Sequence, residues 1–215
     1  IPASLAHGEF RLVYQPKLDL HTARISGVEA LARWHHPKFG DVSPAEFVGL
    51  MERTTLIHDF TEWVLHQALE QQSRWRAQGI DLTVAINVSA VQFFNDDLLG
   101  EFSRACEDVG ISPQSLQVEL TESGLMRDPE RGLQTMHRLH ERGIRIALDD
   151  FGTGFSSMSY LQHLPLDALK IDRSFVADVE TNSRNAAICR ALLSLGHSLG
   201  LEVVAEGVET EGQRQ

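Results

Sequence analysis

The chain has 215 residues, 42% hydrophobic and 23% charged, and a formal net charge of -11. That is the composition of a soluble globular domain with length enough for a buried core, and neither a membrane-spanning apolar run nor a signal-peptide pattern is present. The acidic balance excludes a nucleic-acid polymer as partner, because no basic run can neutralise its phosphates, so a phosphate-bearing substrate would need bound cations as intermediaries. In chain order, Ile1–Gly8 reads as a linker or the end of an upstream element. Residues 10–18 (FRLVYQPKL) read as a strand that Pro16 breaks late, as suits an edge. Residues 24–31 (RISGVEAL) form a second strand, His35–Gly40 a turn, and a helix follows Pro44. A long helix is predicted over 56–78, with Val64, Leu65, Ala68, Leu69 and Trp75 on one stripe.

One unit then repeats: a helix ends at a glycine, a short strand follows, and a polar group stands at its end. The joints are Gly79-Ile80, Gly110-Ile111, Gly143-Ile144 and Gly200-Leu201, each with glycine where a helix needs a left-handed terminal residue. The strand-end groups are Asn87, Glu119, Asp149 and Glu206, and a strand over 168–171 adds Lys170. Asp128 as N-cap with Pro129 at the first position opens a helix over 128–142, and another spans 182–199. Alternating strands and helices on short loops imply a mainly parallel sheet. Seven strands, all functional groups at C-terminal ends, and strands with one small or polar face and one aliphatic face predict a TIM-type barrel rather than an open doubly wound sheet. An eighth strand is missing from the sequence, so an open seam is expected.

The stretch IRIALDDFGTGFSS (Ile144–Ser157) places two adjacent carboxylates, Asp149 and Asp150, where glycines should end a strand. Neighbouring like charges repel unless a cation or proton lies between them. With Glu29, Asn87, Glu119 and Glu206 converging on the same mouth, the donors are all hard oxygens, which suits magnesium or manganese rather than a thiolate-type zinc site. Two such ions would clamp a phosphodiester. Lys170 could orient the water and offset charge on phosphorus; among acids its amine stays protonated, which makes a Schiff-base role poor chemistry. Cys106 and Cys189 read as reduced core thiols of a cytoplasmic domain. His35 and His36 read as loop histidines, and Trp34, Trp63 and Trp75 as core or interface residues, Trp34 standing beside Arg33 where a ligand base could lie.

The motifs YQPK (Tyr14–Lys17), EALARW (Glu29–Trp34), NVSA (Asn87–Ala90), ELTES (Glu119–Ser123), DDFGTGFSS (Asp149–Ser157), LKID (Leu169–Asp172) and AEGVET (Ala205–Thr210) occur in one order. In these the chain resembles the bacterial EAL-domain phosphodiesterases, which hydrolyse cyclic di-GMP to pGpG. The resemblance covers residues 9–215 and implies a (β/α)8 barrel whose first strand is antiparallel. It implies two Mg2+ or Mn2+ ions held by Glu29, Asn87, Glu119, Asp149 and Asp150, with Lys170 and Glu206 positioning or activating water. Gln15, Arg33 and Asp172 become ligand contacts, and Glu122 a brace for the loop Phe151–Ser157, which the family uses in dimer contacts. A homodimer, an upstream GGDEF or sensory domain, and a cytoplasmic site within a parent protein that could itself be membrane-anchored are further implications. The family continues beyond Gln215 into a last helix and strand, so the domain is read as C-terminally truncated. The rival functions are a cyclic di-GMP receptor without turnover and a partner-binding scaffold with an idle barrel.

Overall fold

The computed structural model of the chain describes residues 2–153 and 158–215. A short helix, α1 (Pro2–Ala6), precedes a long hairpin of β1 (Phe10–Asp19) and β2 (Arg24–His36). Strand β3 (Gly40–Val42) folds back on the end of β2, followed by α2 (Pro44–Met51) and α3 (Leu56–Ala77). Strand and helix then alternate through β4 (Thr83–Asn87), α4 (Ala90–Phe93), α5 (Leu98–Val109), β5 (Leu116–Thr121), α6 (Glu122–Leu125), α7 (Pro129–Glu141) and β6 (Arg145–Phe151). The chain continues through α8 (Met158–Leu161), β7 (Ala168–Ile171), α9 (Arg173–Val176), α10 (Ser183–Ser198), β8 (Glu202–Ala205) and α11 (Glu211–Arg214).

The strands follow the order β1-β2-β4-β5-β6-β7-β8, with β3 attached to β2 off this path. β1 runs antiparallel to β2, and every later pair on the path is parallel. These are seven staves of a (β/α)8 barrel with an antiparallel first strand. Pro16 lies within β1, the end strand of the path, where a missing N–H is tolerated. Each of the four joint glycines takes a positive φ, which ends the preceding helix and turns the chain into the next strand. Asp128 caps α7 by accepting from Arg131 N, and Asn182 caps α10 through Arg184 N and Asn185 N.

The aliphatic strand faces meet the helices: Val84, Ile86, Leu116, Val118, Leu120, Leu148 and Leu169 are all buried in one core with α3, α5 and α7. Cys106 and Cys189 are free and buried, and burial pushes the Cys106 thiol up to about 11. The turn expected over His35–Gly40 is shorter than the sequence suggests. His35 and His36 still belong to β2, paired with Asp41 and Gly40, and His35 Nδ1 meets Asp41 Oδ1 at 2.8 Å. Trp34 stacks on Phe10 with ring centroids 5.0 Å apart and donates to Glu9, so it is part of an aromatic cluster with Phe47. That tertiary contact extends β2 past the point where the local pattern stops.

At the last joint α10 approaches β8 closely, and a Cβ on the buried Gly196 would lie 2.3 Å from Val203 Cγ2. Gly196→Ala is therefore expected to cost about 1–3 kcal/mol by overpacking. Thermal unfolding should show this as a loss of several degrees, and an unchanged Tm would mean that β8 and α10 sit further apart.

Candidate active site

The candidate side chains gather on the barrel's inner face, most of them where a strand ends, whereas Glu29 lies in mid-strand because β2 runs on to His36. Glu29 lies in β2, Asn87 closes β4, Glu119 lies in β5, Asp149 and Asp150 near the end of β6, Lys170 in β7, and Glu206 directly follows β8. The parallel register brings these ends together: Asn87 pairs with Glu119, and Glu29 with Ala85 one layer below Asn87.

Lys170 is the hub. Its ammonium donates to Glu119 Oε2 at 2.5 Å, and to Glu29 Oε2 and Asp149 Oδ2 at 3.1 Å. It also contacts Glu206 Oε1 at 2.6 Å, while its side chain is 1% exposed. Burial opposes its charge, but the carboxylates of Glu119, Asp149, Glu29 and Glu206 together hold the amine well above the ordinary lysine range. Burial conversely raises the pKa of Glu119 and of Glu206, against the pull of Lys170. Asn87 Nδ2 donates to Glu29 Oε1 at 2.7 Å and fixes that carboxylate from the side. Lys17, which motif reading left without a role, donates to Glu119 Oε1 at 2.6 Å. Alternation along β1 carried the signal, since Lys17 shares the face of Gln15.

β6 does not stop at the two aspartates as expected; it continues to Phe151 through an irregularity between Leu148 and Phe151. Asp150 sits there with a positive φ, a left-handed conformation rare outside glycine. In a regular strand neighbours point to opposite faces. The kink lets both carboxylates serve one site: Asp149, Asp150 and Glu206 each present an oxygen, all within 4.8 Å of one another. Burial, then Asp149 and Asp172, raise the Asp150 pKa. Asp172 hydrogen-bonds with Asp150; burial works against its charge, but the Ser174 hydroxyl and amide hold its carboxyl below the usual range.

The residues fit a divalent cation. The donors are carboxylates and one amide, and the Lys170 ammonium demonstrates that oxygens from Glu29, Glu119, Asp149 and Glu206 converge on one positive charge. Cation binding needs ionised ligands. Because burial makes Asp150 keep its proton to higher pH than an ordinary carboxylate, Mn2+ affinity should weaken as pH falls below neutrality. Titration of the Mn2+ paramagnetic signal reads this, and an affinity independent of pH would remove Asp150 from the ligand set.

The remaining predicted residues surround this cluster. Gln15 is exposed and lies across the hairpin from Glu29. Arg33 is half-buried, donates to the Ala32 carbonyl at 2.9 Å and lines a cavity of about 570 Å3 between the ends of β2, β4 and β5 and helices α2 and α3. Asn87 and Glu119 reach this cavity, as do Ser89, Glu52 and Arg127, and motif reading had assigned no role to Glu52 or Arg127. Glu122 is buried at the start of α6 and accepts from Gly152 N at 3.1 Å, a contact that ties α6 to the segment after β6. The rest of the expected loop, Gly154–Ser157, lies outside the described residues. Among the described residues no helix is long and apolar enough to cross a membrane.

The EAL domain family matches the chain over residues 1–215. A cyclic di-GMP phosphodiesterase of Pseudomonas aeruginosa is 46% identical over 201 residues, covering 94% of this chain and 34% of that protein. The bifunctional diguanylate cyclase/cyclic di-GMP phosphodiesterase MucR of the same organism is 42% identical over 213 residues, covering 99% and 31%. This chain thus spans about a third of the length of both curated relatives. The solved PaMucR phosphodiesterase–c-di-GMP complex superposes with a TM-score of 0.95 at 42% identity, covering 99% of this chain and 87% of that one. With the antiparallel first strand, the acids at the strand ends and a family match along its whole length, the chain belongs to the EAL domain family.

Proposed function

We propose that this chain is a metal-dependent phosphodiesterase that hydrolyses cyclic di-GMP to linear pGpG. The observation that carries the proposal is the convergence of four carboxylates, those of Glu29, Glu119, Asp149 and Glu206, on the buried ammonium of Lys170, with the Asn87 amide on Glu29 and the Asp150 carboxylate beside Asp149 and Glu206. The names of its relatives supply the substrate.

In this reading Glu29, Asn87, Glu119, Asp149 and Asp150 hold two Mg2+ or Mn2+ ions. When bound, such ions neutralise the phosphate and lower the pKa of water. The chain's own groups do the rest. Lys170 stays protonated at neutral pH and directs its N–H groups at the water and the developing negative charge. Glu206, beside it, accepts the proton that the water gives up. Gln15 and Arg33 bind the dinucleotide, Arg33 from the wall of the large cavity. Asp172 meets the ligand side through Asp150, whose carboxylate it orients. Glu122 holds the segment after β6 through Gly152.

An upstream signalling module is the expected partner in the parent protein, supported by the fraction of its relatives that the chain covers. A homodimer is the expected assembly, to be read by light scattering.

Incubation with cyclic di-GMP in magnesium, manganese or excess chelator, followed by chromatography, tests the reaction. Metal-dependent pGpG is the expected result. Tight binding of intact cyclic dinucleotide without product would make the domain a receptor, and no binding would leave it a scaffold.

A further inference from the structure

The antiparallel β1 feeds side chains into the barrel from the end opposite the rim. Along it Gln15 lies level with Glu29, and Lys17 one layer deeper, level with Gly27. The Lys17 side chain is 13% exposed, and its ammonium donates to Gln117 Oε1 at 2.8 Å and to Glu119 Oε1 at 2.6 Å. Beside it is a cavity of only about 40 Å3, lined also by Thr83 and by Arg145 and Glu202, which form an ion pair at 3.0 Å. The two oxygens of the fully buried Glu119 carboxylate are thus divided between two lysines, Oε1 to Lys17 and Oε2 to Lys170. A solvated surface lysine has no such fixed acceptors.

We propose that Lys17 is a positioning residue for the reaction: it pins Glu119 Oε1 from below, so that Glu119 offers a single oxygen, Oε2, to the rim. This rests on the reading of Glu119 as a metal ligand. Without Lys17 the carboxylate can rotate about its last bond and present either oxygen or both. Partners that orient a metal's ligands in this way typically contribute about 10- to 100-fold in metal affinity or activity.

The test is Lys17→Met, which keeps the aliphatic stem in the barrel. Mn2+ titration of the metal-free protein, followed by its paramagnetic signal, should show binding weaker by about tenfold or more. In the same variant kcat should fall about 10- to 100-fold with KM for cyclic di-GMP within about twofold. Lys17→Arg, whose fork can reach both acceptors, should recover much of both losses. Parental Mn2+ affinity and kcat in Lys17→Met overturn the proposal. If Lys17→Met does not fold, Gln117→Met decides instead: a smaller loss in the same direction supports the role, and parental values overturn it. Glu119→Gln, titrated alongside, keeps the two readings apart. Parental Mn2+ affinity in Glu119→Gln rejects Glu119 as a ligand, whereas loss there with none in Lys17→Met rejects only the positioning role.

Discussion

Lys170→Met is expected to destabilise the metal-free protein by about 3–5 kcal/mol, the usual cost of stripping one partner from a buried ion cluster. The ammonium is 1% exposed and meets Glu29, Glu119, Asp149 and Glu206. Removing it leaves four acids facing one another around a hydrocarbon stem. A like-charge pair at ~4 Å in an effective dielectric of ~20 repels by about 4 kcal/mol, so the acids must take up protons or the rim must open. The four acids raise the Lys170 pKa above the ordinary lysine range, so in the parent its stabilisation is complete below that range and is lost only in strong alkali. In the variant the deficit should shrink as pH falls and the acids become neutral. For a chain of this size the cost at neutral pH corresponds to about 6–20 °C in Tm. Saturating Mn2+ should recover much of that stability by restoring positive charge among the acids, while turnover stays lower by about a hundredfold or more, because the proposed mechanism has this ammonium donate to the developing charge. Thermal unfolding in chelator and in Mn2+, with kcat measured in parallel, separates the two effects. A Tm within about two degrees of the parent would mean that the four contacts to Lys170 do not persist in solution.

The barrel was legible because its punctuation is local. Gly79, Gly110, Gly143 and Gly200 each end a helix by their own backbone freedom, and the small or polar inner faces alternate with aliphatic outer ones at a period of two. The strand-end acids could therefore be gathered on one rim before any contact was known. What local pattern could not carry was the hub: Lys170 and Glu29 are 141 residues apart, and only the curling of the sheet brings them to 3.1 Å. Nor does any periodic signal announce a left-handed aspartate inside a strand, so β6 was expected to stop where it kinks. The β2–β3 hairpin was missed for the opposite reason, since the HHPKFGDV stretch has turn chemistry but its strand ends are held by the stacking of Trp34 on Phe10. Lys17 lies within reach of the alternation rule, since it shares the face of Gln15 along β1.

Asp150→Asn is expected to cut kcat by about a hundredfold or more, through loss of a carboxylate proposed to hold the metal, while changing the affinity for cyclic di-GMP only a few-fold. The substitution isolates charge from backbone. Asparagine tolerates the left-handed conformation, with its positive φ, that this position requires, so the kink that turns Asp149 and Asp150 toward one site should survive. The charge itself works against the fold. Burial, Asp149 and Asp172 raise the Asp150 pKa, so its ionised form is disfavoured in the native state at neutral pH, and metal-free protein should gain stability as pH falls through that raised pKa. Asp150→Asn should remove this gain and leave Tm at neutral pH equal to or slightly above that of the parent. Asp150→Ala loses the same charge but must hold an ordinary side chain in the left-handed region, and should be less stable than Asp150→Asn by about 1 kcal/mol. The three proteins thus separate the possible roles by kcat, ligand affinity and Tm taken together. Equal losses of rate and affinity in Asp150→Asn would make Asp150 a contact for the dinucleotide. A Tm loss shared by both variants would mean instead that the carboxylate, through its bond to Asp172, is what holds the kink in place.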